Sequence, residues 1–354
     1  MKILYITFID FNKDVSGSSA RPHRIYEAFI DLGCDVKIVE GQQNKRRERR
    51  EKVKDVLRWL DCNCPDICYV EPPTGPFFNS IDLKLLKKIH AMRIPIGLFY
   101  RDAHWKFREL FPMNRIKSLV LEFMHKRDLR VFEDVCDYIY FPSDSFSQLF
   151  SNYTFKNTGV LPPGGSSNQF TKNIFSAKHF IYIGGTSELY GGLKLIEVFK
   201  DINKEKKVAS LTFISQRTEE FHAEDYDYPW LNAMHTFDRE LIEAEYSKST
   251  YAIIPFKRNK YFDLALPIKL FEYVGYGIPV ISTDCLEIKT FIKYYNCGII
   301  CHDNKDSIKD AVLLALDDEN AFLSYKRSAV EAGKRNSWVS RAQSIIDDLS
   351  GVVK

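Results

Sequence analysis

Lys269 and Glu272 stand three residues apart behind Pro267, a spacing that puts both on one face of a helix opening at the proline. Proline suits the first helical position, because the N–H it lacks would have no partner there. The amides of that first turn, with Lys269 beside them, form a site for an anion. Glu272, one turn further in, is placed to accept two hydrogen bonds from adjacent ribose hydroxyls. Lys257, Arg258 and Lys260 make the preceding loop basic, and Gly275 and Gly277 stop the helix before Pro279 opens a strand. Taken singly, the same carboxylate and ammonium read as solvated helix charges.

A second group lies at 100–106, where Asp102 and His104 follow an apolar run. Side chains at the carboxyl end of such a strand meet a ligand, and a histidine takes a proton near neutrality. These two are candidates for the base or for orienting a hydroxyl; the structural alternative is an Arg101–Asp102 pair with His104 capping a helix. Gly17 and Ser18, with Arg21 and Arg24 behind them, form an early loop whose amides suit a phosphate or an acceptor, or simply cap a helix. Cys62, Cys64 and Cys68 are closely spaced, but no second pair or histidine completes a metal set, so they read as reduced thiols. Residues 44–54 are densely charged and read either as a solvated helix face or, with Phe107, Leu110, Phe111, Leu119, Phe123 and Met124, as a basic and apolar surface for anionic lipid.

These residues need a scaffold. The 354-residue chain exceeds the usual span of one core, so two domains are expected. Fifty Lys and Arg against 47 Asp and Glu leave a net charge of +3, which gives no field that would call for nucleic acid. No apolar run reaches the length of a membrane span and none has the pattern of a signal peptide, so a cytoplasmic protein is expected, with peripheral contact on the inner membrane face. Apolar runs at 3–8, 36–39, 67–70, 94–100 and 138–141 alternate with helical patterns, the rhythm of parallel strands joined by crossover helices. Prolines and glycines at 161–168 interrupt it, and it restarts with strands at 179–183, 211–214, 251–255, 280–282 and 298–301. The expected architecture is α/β: two Rossmann-like doubly wound domains, 1–165 with a returning helix at 337–354, and 166–336. A phosphate-bearing ligand suits the carboxyl ends of such sheets, in a cleft between them.

The segment Pro267-Ile-Lys-Leu-Phe-Glu-Tyr273, followed by Gly277-Ile-Pro-Val-Ile281, resembles the GT-B glycosyltransferases, particularly family 4 and its bacterial polysaccharide relatives. Tyr182-Ile-Gly-Gly185 with the helix pattern after Gly191 is similar to the family's strand and glycine turn. Tyr140-Phe-Pro-Ser-Asp144, Val160-Leu-Pro-Pro-Gly164 and Ser337-Trp338 agree in order. The resemblance implies a nucleotide-diphosphate sugar donor with Glu272 on the ribose and Lys269 on the diphosphate. It also puts Leu270, Gly184 and Gly185 in the donor site, with Lys257, Arg258 and Lys260 as helpers, and it places Asp102 and His104 near the reacting sugar; with the family's glycine-turn bases missing, phosphate binding rests on Lys269, the basic loop and Arg217.

The family's Glu-x7-Glu pair is incomplete, because Leu264 occupies the first position beside Asp263; its glycine-turn Arg and Lys are matched here by Gly185 and Tyr190. Asp225-Tyr-Asp227 is similar to the metal motif of a different glycosyltransferase fold but stands in an acidic loop, so no metal and no cofactor beyond the donor is expected. The expected activity is transfer of a hexosyl group, retaining by family default, to a saccharide or lipid-linked saccharide in bacterial surface polysaccharide synthesis. The alternatives are an epimerase, whose motifs are not found, and a non-catalytic GT-B partner that stabilises an active glycosyltransferase.

Overall fold

The computed structural model describes residues 1–9, 11, 19–166, 174–215 and 226–352. The chain divides into two compact units, Met1–Pro162 with Trp338–Lys354, and Pro163–Ser337.

The first unit runs β1 (Lys2–Thr7), α1 (Ala20–Asp31), β2 (Asp35–Val39), α2 (Arg46–Trp59), β3 (Ile67–Glu71), α3 (Ser80–Ala91), β4 (Ile96–Phe99), α4 (Arg115–Val135), β5 (Tyr138–Phe141), α5 (Asp144–Gln148) and β6 (Thr158–Val160). The strands are all parallel, in the order β2-β1-β3-β4-β5-β6. Helices cover both faces of such a sheet, which is why β1, β3 and β4 are continuous apolar runs rather than alternating ones. Asn114 starts α4 by accepting a hydrogen bond from the Ile116 amide (2.9 Å).

Two expectations change here. The charge run 44–54 supplies the first turns of α2, but it is not a purely solvated face. Arg49 is wholly buried, donating from Nε to Asp82 (2.9 Å) and from Nη1 to the carbonyls of Thr7 (2.8 Å) and Glu40 (2.9 Å). Phe107 is buried rather than part of an apolar surface, because it closes the 3-10 turn His104–Lys106 against the core. Helix α3 was not anticipated, although Leu83, Leu86 and Ile89 carry its buried stripe.

The second unit runs β7 (His179–Ile183), α6 (Gly192–Ile202), β8 (Ser210–Ser215), β9 (Leu231–His235), α7 (Arg239–Lys248), β10 (Tyr251–Ile254), α8 (Ile268–Gly275), β11 (Val280–Thr283), α9 (Leu286–Tyr295), β12 (Gly298–Cys301), α10 (Lys305–Asp317) and α11 (Glu319–Arg335). Its six strands are also parallel, in the order β12-β11-β10-β7-β8-β9. Along β7, Phe180 and Tyr182 join the core on one face while Ile181 and Ile183 join the core on the other, as the two-residue period requires. The edge strand β9 escaped the sequence reading, because its residues are half-exposed and of mixed polarity. The last helix, α12 (Trp338–Val352), returns to the first unit and packs on α1, β3 and β4, burying Ala342, Ile345 and Leu349.

Candidate functional site

Strand order in the second unit reverses between β7 and β10, which pair directly. Loops leaving the carboxyl ends of two such strands diverge to opposite faces of the sheet and leave a crevice for a ligand. Gly184 and Gly185 leave β7 at this point, and the loop that leads to α8 leaves β10. Pro267 takes the N-cap position, one residue earlier than expected, and no side chain caps the first turn of α8.

Lys269, on that first turn, turns its ammonium inward. Its Nζ is buried and, among the described residues, has no hydrogen-bond partner. Three rings surround it, with centroids 4.8 Å (Tyr182), 4.7 Å (Phe256) and 5.9 Å (Tyr190) away. Burial pulls the group down from its ordinary 10.5 to about 7. Gly184 is a glycine for the same reason: a Cβ there would stand 2.8 Å from Nζ and 2.7 Å from the Tyr182 hydroxyl. Tyr182 donates its hydroxyl to the Gly185 carbonyl (2.6 Å), and the Tyr273 hydroxyl holds the end of β7 by accepting the Ile183 amide at 3.1 Å.

Glu272 is half-buried on α8 and accepts a hydrogen bond from the Tyr246 hydroxyl (3.2 Å). Leu270, in contrast, lies wholly in the core beside Phe271 and Val274, so its side chain serves packing and is not open to a ligand. The basic loop is less free than its sequence implies. Lys257 pairs with Glu188 (2.5 Å), and Arg258 pairs with Asp263 (3.0 Å) and Asp284 (3.3 Å). Asp263 also accepts the Leu286 amide (2.9 Å) at the start of α9, so it is a structural group rather than a stand-in for the missing carboxylate at Leu264. Arg217, Gly17, Ser18 and Asp225 lie outside the described residues.

In the first unit, Asp102 and His104 are brought together. Asp102 Oδ2 is 3.0 Å from His104 Nδ1, and Asp102 Oδ1 accepts the His104 amide at 3.1 Å. This is a carboxylate–imidazole pair. Beside it, Tyr100, Arg101, Asp102, His125 and Asp128 line a small cleft with the loop 72–77. The sequence reading passed over His125, which sits inside α4, stacks on Trp105 with ring centroids 5.1 Å apart and places Nδ1 3.3 Å from the Tyr100 hydroxyl. Burial pulls its imidazole down to about 4, so it stays neutral. Arg21 is not on a loop: it lies in α1, buried, with Nε 2.9 Å from Glu71 and its guanidinium 3.5 Å from the Phe99 ring centroid. Its surroundings make it part of the first unit's core. Cys62 and Cys64 are exposed and Cys68 is buried in β3; all three are free.

The family described as Glycosyl transferases group 1 matches residues 168–336. A comparison with curated proteins finds no match. Among solved structures, sucrose-phosphate synthase from Thermosynechococcus elongatus is similar with a TM-score of 0.71 at 12% identity, covering 100% of this chain and 99% of that one. The α,α-trehalose 6-phosphate synthase from Burkholderia multivorans gives 0.66 at 11%, covering 100% and 98%. WaaG, a glycosyltransferase involved in lipopolysaccharide biosynthesis, gives 0.66 at 12%, covering 99% and 100%. At these identities the likeness speaks for the fold. Residues 168–336 of the second unit thus match the glycosyl transferases group 1 family, and the two parallel six-stranded sheets, like these structural relatives, give the whole chain the GT-B fold.

Proposed function

We propose that the second unit holds a nucleotide-diphosphate sugar and that the protein transfers its hexosyl group, with retention, to a saccharide or lipid-linked saccharide of a bacterial surface polysaccharide. The observation that carries this reading is the buried, unpartnered ammonium of Lys269 beside Gly184, at the reversal point of the sheet. A diphosphate there supplies the missing counter-charge, with the amides of α8 as further donors. Glu272 takes the ribose hydroxyls, and Gly184 and Gly185 let the backbone approach the phosphates. Lys257 and Arg258 reach the donor only by leaving their carboxylate partners; Arg217 and the loop of Gly17 and Ser18 remain assigned on position alone. Residues 1–165 with 337–354 serve the acceptor and 166–336 the donor.

In the reaction, the bond from the anomeric carbon to the β-phosphate oxygen breaks and the acceptor oxygen bonds that carbon on the same face, as retention requires. Negative charge gathers on the diphosphate, where Lys269 stabilises it. His104 takes the acceptor proton, and Asp102 stabilises the imidazolium that results. No metal is assigned to the leaving group.

We further propose a cytoplasmic protein that lies on the inner membrane face through α4. Ile116, Leu119, Val120 and Phe123 are 74%, 53%, 52% and 70% exposed, and their spacing puts them in one stripe. Exposed Arg115, Lys117, Lys126 and Arg130 flank it, which suits anionic headgroups around a shallow apolar insertion. Among the described residues, no helix is long and apolar enough to cross a membrane.

Thermal melting of wild type and Glu272→Ala with UDP, GDP, dTDP and ADP tests the donor site. One nucleotide at about 100 times its Kd should add about 2.7 kcal/mol, a shift of several degrees, that the variant loses. No shift from any of them would favour the non-catalytic partner, a reading kept in view by Leu264 and by the uncharged Gly185 and Tyr190 at the glycine turn.

A further inference from the structure

Among the described residues, no charge stands beside Lys269 to balance it. From β7 it meets the Tyr182 ring, from the segment before α6 the Tyr190 ring, and from the end of β10 the Phe256 ring. Tyr273, a residue of its own helix, is buried and neutral, as is Tyr246 of α7, and burial pushes the phenol of Tyr182 well up too. Glu272, the nearest acidic position on α8, is engaged by the Tyr246 hydroxyl and does not hydrogen-bond Nζ. The basic residues of the neighbouring loop are exposed and paired with Glu188, Asp263 and Asp284. Ring faces attract an ammonium, but they give it no hydrogen-bond acceptor. Tyr190 also packs edge-on against the core ring of Phe256 and tilted against that of Phe262, with centroids 5.6 Å and 5.7 Å away, so it is fixed as a wall and not a passing side chain.

Resting on the donor-site reading above, we propose that Lys269 and the cage of Tyr182, Tyr190 and Phe256 form a proton-coupled diphosphate clamp, in which the lysine takes up a proton when a nucleoside diphosphate binds. An N–H bond forms on Nζ as the buffer acid gives up its proton; no bond of the nucleotide breaks. The empty cage favours the neutral amine by desolvation, whereas a diphosphate beside it favours the ammonium by charge and by the hydrogen bonds it accepts. Tyr190 is then a positioning residue: it sets how readily the lysine loses its charge without touching the phosphate. The sign follows from linkage. The complex binds more protons than the free protein above about pH 7, so affinity falls as pH rises, by up to about tenfold per unit, until the bound lysine itself titrates.

Calorimetric titration of the full chain with UDP, GDP, dTDP and ADP at pH 8, in buffers of different ionisation enthalpy, reads the uptake directly. The difference in uptake between wild type and Lys269→Arg isolates the share of Lys269 from that of every other group, the nucleotide's phosphates included. The nucleotide that binds should bring in about 0.9 proton, the fraction of a group near 7 that is empty at pH 8. Lys269→Arg, permanently charged, should bind with uptake near zero. Tyr190→Ser, which opens the cage to water and leaves the lysine in place, should bind with less than half the wild-type uptake; it also covers the case in which the arginine variant does not fold. Binding with no uptake in wild type, or uptake unchanged in a folded Lys269→Arg or Tyr190→Ser, overturns the clamp and leaves the donor site standing. Binding of none of the four nucleotides by the folded protein removes the donor site itself.

Discussion

Between pH 7 and 10.5 the folded protein binds fewer protons at Lys269 than the unfolded chain does, because burial lowers the group to about 7. Stability of the second unit should therefore rise with pH across that window. The full penalty is present below pH 7, where both states are charged. Lys269→Met keeps the aliphatic stem and the ring contacts but removes the charge. It should stabilise the empty protein at pH 7 by on the order of 4 kcal/mol and flatten the rise toward pH 10. Urea unfolding at the two pH values checks this, and a variant that is less stable or retains the wild-type slope would contradict it. The same substitution should weaken nucleotide binding, so stability and function pull in opposite directions at this position, as at other sites that hold an uncompensated charge for a ligand. Lys269 is legible in the sequence as a lysine at a helix start. Its burial is not, because the three rings that enclose it come from segments up to 87 residues away in the chain, counting from Tyr182 to Lys269.

At the scale of the element, α4 carries two stripes. Leu129, Phe132 and Val135 face the core of the first unit, while Ile116, Leu119, Val120 and Phe123 face away from it. A helix of 21 residues whose amino-terminal half is apolar on its outer side and basic at its flanks is expected to bind vesicles rich in anionic lipid and to release them in high salt. Replacing Ile116 and Phe123 together by Glu should reduce the bound fraction by about tenfold or more, since each buries roughly 1.5 kcal/mol of apolar surface in the interface. Flotation with anionic and zwitterionic vesicles measures it; equal binding by the double variant, or no preference for anionic lipid, would remove α4 from the role. Leu119 and Phe123 were visible in the sequence as surface candidates. Phe107 was not separable from them, because only the packed turn shows that it points inward.

For the whole molecule, the chain leaves the first unit at Pro162 and returns to it at Trp338, so the first unit is assembled from both ends of the sequence. Ending the chain after Ser337 should strip α1, β3 and β4 of their cover, exposing the partners of Ile345 and Leu349. The truncated protein should bind a hydrophobic dye and lose the cooperative melting of the first unit, a change that dye fluorescence and calorimetry can follow; unchanged melting would mean that α12 is dispensable. The sequence by itself determined the repeated strand-and-helix rhythm, the two-sheet α/β class and the proline-started, glycine-stopped helix of residues 267–277. These depend on periodicity, caps and breakers within short stretches of chain. Tertiary structure alone decided which charges are buried and with whom. It sends Arg49 to Asp82 and Arg21 to Glu71, joins Asp102 to His104, turns Leu270 into the core, and leaves Lys269 among rings with no hydrogen-bond partner among the described residues. A charge is stable in water wherever it stands in the sequence; whether it is desolvated, and what then compensates it, depends on neighbours brought up by other strands and helices.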